Sequence, residues 1–266
     1  MKQVTGLVRC PACSTGSLSV HEDRTARCSE CHAAYPAADG VIDLLPPAKR
    51  KPGYAQRAME WPWLVRIYES RWWRRSPLVA VPFGFSFEEE QAYVLRSLAL
   101  HPDARVLDLA CGPGIYTRPM AQALRDGVVI GLDISRPMLS YAAARARDEG
   151  IDNIVWLRAS AMELPVPDAS LDGVNCCGAL HLFPDIPRVL AGISRVLKPG
   201  GRFACGMSRR LDGLPGDIET AMTAWSGLTS LSSSGLRSLL EGAGFVNVEV
   251  RHANRFWQLA SAIREG

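Results

Sequence analysis

The chain lacks the features that would place it in a membrane or on a secretory route. No run of 18 apolar residues occurs among its 266 residues, so no transmembrane helix and no membrane partner are predicted. The N-terminus, MKQVTGLVRCPAC, has no apolar h-region, which argues against a secretory signal. The formal net charge is only +3, and a charge this small neither requires nor excludes a nucleic-acid partner.

The eight cysteines do not have the pattern of a disulfide framework. Four of them form two Cys-x-x-Cys pairs near the N-terminus. The other four lie in apolar strand patterns, where a free thiol acts as a small hydrophobic group: Cys111, Cys176, Cys177 and Cys205. This usage is typical of a reducing compartment, so we expect a cytoplasmic protein.

Changes in composition divide the chain into three parts. Residues 1–46 are predicted to form a small module, residues 47–98 a linker and an aromatic helical lid, and residues 99–266 a larger α/β domain. That domain has a polar, Gly/Ser-rich cap insertion around residues 209–232. The basic linker run at residues 49–51 is either a solvated surface or a nucleic-acid contact.

Four of the seven tryptophans fall within the thirteen residues WPWLVRIYESRWW, at 61–73. Tyr68 and Trp72 are four residues apart and so share one face of a helix. They are therefore the candidate lid residues over a substrate pocket, with ordinary core packing as the alternative.

Strand and helix patterns alternate from residue 104 onward, which predicts a mostly parallel sheet with helices on both faces. Counting the strand patterns gives seven strands. The last two are joined by about four residues, a connection short enough for a hairpin, so one of them should run antiparallel to the rest.

The segment RVLDLACGPGIYTR, at 105–118, joins the first strand of this domain to its helix. It lacks both the third glycine of a dinucleotide-binding fingerprint and the lysine of a P-loop. Asp108, four residues before Gly112, would repel a phosphate and attract an ammonium group. The N–H groups of the following helix suit a carboxylate. A ligand with an ammonium group and a carboxylate is an amino acid.

Asp133 ends the second strand of the domain, about 20 residues beyond the glycines. An acidic residue at this position accepts hydrogen bonds from ribose hydroxyls in nucleotide-binding sheets. An amino acid joined to a ribose suggests S-adenosyl-L-methionine as the cofactor.

Four blocks in order, VLDLACGPG, GLDISRPML, ASAMELPVPDASLDGV and ISRVLKPGGRF, resemble the class I S-adenosylmethionine-dependent methyltransferases. The resemblance is to the ubiquinone-type and natural-product enzymes, and it covers residues 104–208 strongly and the closing elements more weakly. It implies an α/β fold with a Rossmann-like, seven-stranded, mostly parallel sheet.

The resemblance also implies a set of cofactor contacts. The methionine part would lie on the loop formed by Asp108, Ala110, Gly112, Pro113 and Gly114. Asp133 would bind both ribose hydroxyls, and the backbone near Cys176 would bind the methionine ammonium. The adenine would contact Ile134, Met138, Ser160, Ala161 and Met162. Ser160 departs from the pattern, since many relatives carry an acidic residue there that accepts from the adenine amino group.

The two cysteine pairs, CPAC at 10–13 and CSEC at 28–31, are separated by 14 residues. Cys10, Cys13, Cys28 and Cys31 can therefore supply four thiolates to a structural Zn²⁺ ion. A redox dithiol pair or unliganded cysteines are the alternatives. The segment resembles the zinc ribbon of bacterial ribosomal-RNA guanine methyltransferases and, more closely, that of plastid and bacterial methyltransferases without an assigned substrate.

Methyl transfer from a sulfonium requires alignment and exclusion of water, and a base only where the acceptor must lose a proton. His181, just after the fourth strand, is the candidate base, with a structural hydrogen-bonding role as the alternative. Gly178 beside it is the candidate lining of the acceptor pocket.

These observations favour methyl transfer to a small, largely apolar metabolite such as a natural product or a quinone. A ribosomal-RNA base methyltransferase and a non-catalytic zinc-ribbon adaptor are the alternatives. The acceptor, the methylated atom and the oligomeric state are not determined by the sequence.

Overall fold

The structure is a computed structural model, and it describes residues 6–45, 87–210, 229–252 and 256–266. The predicted lid residues Tyr68 and Trp72, the basic run at 49–51 and most of the cap insertion lie outside the described residues.

The seven strands predicted for the α/β domain are all present and lie next to one another in one sheet. Their bounds are β5 (Arg105–Leu109), β6 (Val128–Asp133), β7 (Ile154–Arg158), β8 (Leu171–Cys177), β9 (Leu197–Ser208), β10 (Phe245–His252) and β11 (Trp257–Arg264). Their order across the sheet is β7-β6-β5-β8-β9-β11-β10. The prediction that one closing strand runs antiparallel is confirmed, because β11 pairs antiparallel with both β9 and β10.

Four further strands precede these in the chain. They are β1 (Leu18–Val20), β2 (Thr25–Cys28), β3 (Ala34–Ala38) and β4 (Val41–Asp43). Asp39 and Gly40 both have positive φ in the two-residue turn between β3 and β4, as an Asp-Gly hairpin requires. β4 then pairs parallel with β7, so the N-terminal strands extend the sheet to eleven. The boundary predicted at residue 46 falls after a strand that belongs to the central sheet.

Five α-helices occur in the described residues, and local sequence explains where they begin. They are α1 (Phe87–Leu98), α2 (Thr117–Ala123), α3 (Arg136–Asp148), α4 (Ile186–Val196) and α5 (Ser233–Gly242). The Ser135 hydroxyl accepts from the Met138 amide at the start of α3, and the Asp185 carboxylate accepts from the Arg188 amide at the start of α4. Pro137 occupies the first turn of α3, where its missing N–H costs no hydrogen bond.

The helices cover both faces of the sheet, as predicted. α1, α2 and α3 contribute to the apolar clusters on one face, and α4 and α5 to the cluster on the other. The connection between β7 and β8 contains no helix. On the α4 face, the core cluster also includes apolar ribbon residues such as Leu7, Leu18 and Ala26. None of the helices in the described residues combines the length and apolar composition that crossing a bilayer requires.

Candidate functional site

The strand order places a ligand position at the carboxyl end of β5. From β5 the chain proceeds outward through β6 and β7, and then returns to the opposite side of β5 with β8. Ligands of open α/β sheets bind at this reversal point. The ladder between β5 and β8 ends at the pair Asp108–Asn175, one residue before Cys176.

The loop after β5 has an unusual backbone. Ala110, Gly112 and Gly114 all have positive φ, which the two glycines adopt without strain and the alanine does not. A Cβ at Gly112 would meet no atom within 4 Å, so the loop backbone is accessible from that side. An alanine in the left-handed region stores strain of the kind found at ligand-binding loops.

Asp133 joins the two segments that would hold the cofactor. Its carboxylate accepts from the Gly112 amide at 2.8 Å and from the Ser135 amide at 2.8 Å. Burial raises its pKa, whereas these two amide donors lower it. Each carboxylate oxygen keeps a second lone pair, so the group has capacity for two hydroxyl donors.

Asp108 lies under the loop and is almost completely buried. One oxygen accepts from the Thr117 hydroxyl at 2.5 Å and the other from the Asn175 amide nitrogen at 2.8 Å. Burial raises the pKa of Asp108 to about 6. Oδ1 of Asn175 is buried and accepts no hydrogen bond from the described residues, which leaves one acceptor at the reversal point.

Arg118 and Trp156 fix the loop from beneath, and sequence reasoning assigned neither of them a role. Arg118 donates to the Pro113 carbonyl at 2.7 Å and is 3.1 Å from Glu149. The Trp156 ring lies where a Cβ on Gly114 or Gly131 would be, at 2.8 and 2.5 Å. Both glycines are therefore required for close packing of the tryptophan.

The predicted adenine contacts lie at the ends of β6 and β7. Ile134 is 38% exposed, a high value for an isoleucine next to a buried aspartate, whereas Met138 is buried. Ala161 and Met162 are half-buried after β7. The Ser160 hydroxyl accepts from the Met162 amide at 3.2 Å, so this serine shapes its own turn.

The predicted acceptor residues follow β8. Gly178 has φ of +85°, and a Cβ there would meet no atom within 4 Å. His181 lies in a 3₁₀ helix (Leu180–Leu182), packed edge-on against Trp257 at 5.6 Å between ring centroids. Burial lowers its pKa to about 4, and Nδ1 has no hydrogen-bond partner among the described residues. The imidazole is therefore neutral at physiological pH.

Helix α1 brings a carboxylate to the same end of the sheet. The Cys177 thiol donates to Glu90 at 3.4 Å, and Gly206 lies close beneath both groups. Burial raises the pKa of Cys176 and of Cys177 well above the usual value for a thiol. Neither thiol is ionised near neutrality.

A second candidate site lies in the N-terminal segment, residues 6–45. The Sγ atoms of Cys10, Cys13, Cys28 and Cys31 are all within 4.8 Å of one another, and all four cysteines are free. Two of these separations, Cys10–Cys31 at 3.7 Å and Cys13–Cys28 at 3.6 Å, match the edge of a ZnS₄ tetrahedron. With Zn–S near 2.3 Å, that edge is about 3.8 Å. A disulfide would instead require an S–S distance of about 2 Å.

Neighbouring groups contact the sulfur atoms of this cysteine cluster. The Tyr35 hydroxyl is 3.2 Å from the Cys10 sulfur, and the Gly16 amide donates to the Cys13 sulfur at 3.3 Å. A Cβ at Gly16 would lie only 2.2 Å from the Cys28 sulfur, so this position must be glycine. The hydrogen bond with the Thr15 side chain is the largest of the contacts that lower the pKa of Cys13 to about 5.

Comparison with known proteins agrees with this geometry. Residues 106–201 match the family model described as "Methyltransferase domain". A demethylmenaquinone methyltransferase of Symbiobacterium thermophilum is 44% identical over 106 residues, which are 39% of this chain and 42% of the relative. A 2-phytyl-1,4-naphthoquinone methyltransferase of Synechococcus elongatus is 43% identical over 108 residues, 40% of this chain and 46% of the relative.

A solved structure resembles the described fold over a longer stretch. The phosphoethanolamine N-methyltransferase 2 of Haemonchus contortus, in complex with S-adenosyl-L-methionine, aligns with a TM-score of 0.59 at 15% identity. The alignment covers 76% of this chain and 60% of that one. The chain spans less than half the length of the two curated relatives. Residues 106–201 are thus similar in sequence to methyltransferase domains, and the Rossmann-like α/β fold around them is that of solved methyltransferases.

Proposed function

We propose that this protein transfers a methyl group from S-adenosyl-L-methionine to a small, largely apolar, quinone-like acceptor. The observation that carries the proposal is the Asp133 carboxylate, which joins the Gly112 amide of the glycine loop to the start of α3. The Asp133 carboxylate is suited to accept hydrogen bonds from a ribose, and the accessible backbone of the adjacent glycine loop is suited to bind an amino-acid tail. Two relatives whose names specify naphthoquinone or menaquinone substrates support the acceptor class.

Different residues of this chain bind different parts of the proposed cofactor. The negative charge of Asp108 and the buried Asn175 oxygen favour an ammonium group at the reversal point. Asp133 accepts from the ribose hydroxyls, and the exposed Ile134 side chain packs on the adenine. The sulfonium supplies an electrophilic methyl group, and the protein aligns the acceptor with it and excludes water.

His181 is the candidate group for the acceptor side. As a neutral imidazole whose Nδ1 has no partner in the part of the chain that the structure describes, it is able to accept a hydrogen bond or a proton from an acceptor hydroxyl. Its pKa of about 4 makes it a weak base. We therefore propose that it chiefly orients an acidic hydroxyl, such as that of a hydroquinone.

Calorimetric titration with S-adenosyl-L-methionine tests the cofactor assignment. We expect micromolar binding to the wild type and a loss of at least about a hundredfold in Asp133→Ala, because both hydroxyl contacts are removed. Asp148→Ala, an exposed acidic residue at the end of α3, is the matched control and should bind normally. No binding to the wild type, or unchanged binding to Asp133→Ala, would contradict the proposal.

A panel of hydroquinones and structured ribosomal RNA tests the acceptor. The described ribbon, residues 6–45, carries three arginines against five acidic residues, a net charge of −2 before any thiolate is counted. An acidic ribbon offers little attraction to a phosphate backbone. We expect methyl transfer to the hydroquinones, whereas transfer to RNA alone would support the ribosomal alternative.

We also propose that the four cysteines bind a structural Zn²⁺ ion. The compact set of four sulfurs leaves no ligand position for a substrate, which favours a structural role over a catalytic one. Elemental analysis should give about one zinc per chain and none in Cys28→Ser. The presence of eight free cysteines supports a reducing, cytoplasmic location.

A further inference from the structure

Three residues lie side by side at the carboxyl edge of neighbouring strands, and they join the ribbon to the candidate cofactor site. Asp43 of β4 is the register partner of Arg158 in β7, and Arg158 is the register partner of Asp133 in β6. Register partners in parallel strands project from the same face of a sheet. The last ribbon strand therefore ends one strand away from the strand that presents Asp133.

The Arg158 guanidinium connects the ribbon with the turn that follows Asp133. One terminal nitrogen donates to the Asp43 carboxylate at 3.0 Å, and Nε donates to the Ile134 carbonyl at 3.0 Å. The Asp43 side chain is only 16% exposed, so solvent screens this pair less than it screens a surface ion pair. The Leu45 amide donates to the other Asp43 oxygen and fixes its orientation.

A second arginine connects the same two regions. Arg136, the first residue of α3, donates to the Ala38 carbonyl at 3.1 Å and lies 3.7 Å from Asp39 and 3.8 Å from Asp43. One end of the connection between β6 and α3 thus contacts the β3–β4 hairpin directly through Arg136, and the other end contacts it indirectly, through Arg158.

We propose that Asp43 and Arg158 are positioning residues for cofactor binding and that the ribbon is in this way a structural part of the adenosine site. Asp43 holds the Arg158 side chain, which holds the Ile134 peptide in the orientation that directs the Asp133 carboxylate and the Ile134 side chain toward the ligand. The inference rests on the proposed function, since it assumes that Asp133 and Ile134 bind the adenosine.

Calorimetry with S-adenosyl-L-methionine, performed below the melting temperature of each variant, tests the inference. Asp43→Ala should raise the Kd by roughly three- to thirtyfold, the range typical of coupling through supporting residues. Asp43→Asn keeps an acceptor for Arg158 and should recover part of the affinity. Arg158→Lys keeps the charge next to Asp43 but replaces two separate donating nitrogens with one, so it should loosen the contact with the Ile134 carbonyl, weaken binding and serve as a second variant if Asp43→Ala misfolds.

Arg9→Gln is the matched control. Arg9 also bridges the ribbon and the α/β domain, through Asp168 at 3.4 Å, but its partner lies in the connection between β7 and β8. The Kd of the Arg9→Gln variant for S-adenosyl-L-methionine should stay within about twofold of the wild-type value. Hydrogen exchange at residues 133–136 should accelerate in Asp43→Ala and not in Arg9→Gln.

The outcomes separate the two proposals. If the wild type does not bind S-adenosyl-L-methionine, the proposed function fails. If the wild type binds and correctly folded Asp43 and Arg158 variants bind equally well, only the positioning role is overturned. An equal loss in Arg9→Gln would also overturn it, because any loosening of the ribbon would then have the same effect.

Discussion

Residues 6–45 gather four sulfur atoms within 4.8 Å of one another, whereas the α/β domain surrounds its sheet with apolar side chains on both faces. The strands of the ribbon are three to five residues long, and nine of its ten buried apolar residues join a core cluster that belongs mainly to the larger domain. We therefore expect the ribbon to depend on the proposed Zn²⁺ ion and on contact with its neighbour, and the domain to depend on packing.

The comparison predicts that the two parts fail under different perturbations. The largest effect should follow from loss of a metal ligand. Cys28→Ser should release the zinc and make residues 6–45 sensitive to protease, because metal binding supplies about 10 kcal/mol or more of folding free energy in isolated zinc-finger peptides. Elemental analysis and limited proteolysis with mass spectrometry measure both effects.

Cys205→Ala removes a buried thiol from β9 and serves as the control. It should leave the zinc content unchanged. A Cys28→Ser protein that kept its metal, or that lost the α/β domain together with the ribbon, would contradict the division into a metal-dependent and a packing-dependent part.

A smaller effect should follow from overpacking the domain core. Gly131→Ala places a Cβ 2.5 Å from the rigid Trp156 ring, so we expect the free energy of unfolding to fall by about 1–3 kcal/mol with full retention of zinc. Urea titration followed by tryptophan fluorescence measures this. Gly242→Ala, at the end of α5 with no atom within 4 Å of the new methyl group, should be neutral or slightly stabilising.

The smallest predicted effect concerns the ionisation of the buried Asp108 side chain. Asp108 has a pKa of about 6, so it is neutral below that pH and ionised above it. Affinity for S-adenosyl-L-methionine should therefore rise by up to about tenfold between pH 5 and pH 7.5, one pKa unit being 1.36 kcal/mol. Methylthioadenosine, which lacks the amino-acid part, is the control ligand.

Binding of methylthioadenosine should be nearly independent of pH over this range. Asp108→Asn should abolish the dependence for the full cofactor. An equal pH dependence for both ligands would assign the titration to Asp133, the proposed ribose-binding carboxylate, whose pKa burial also raises.

Local signals made much of the fold predictable. Ser135 and Asp185 cap the helices that follow them, and the apolar runs around Val106 and Val129 form buried strands as expected. The spacing of the cysteines likewise anticipated their convergence. Each of these inferences depends on residues a few positions apart, where geometry follows from the chain itself.

Contacts between distant segments were not predictable. Asp43 and Arg158 are 115 residues apart, and neither belongs to a motif. The short strand containing Asp43 carries no signal for its partner, so the sequence predicts only a small module at residues 1–46. Thr117 and Asn175, which hold Asp108, are likewise polar residues without a distinctive spacing. The register between β5 and β8 brings Asn175 to Asp108, and the start of α2 brings Thr117 to it.

The pairing of β4 with β7 closes what would otherwise be an open border of the parallel sheet. An uncovered strand presents a row of vacant amides and carbonyls to which another polypeptide can add, and natural proteins cover such strands. A truncated chain that begins after residue 46 should accordingly self-associate through β7. Reduced solubility of this truncated chain would indicate that the edge of β7 is exposed, independently of any role of the ribbon in catalysis.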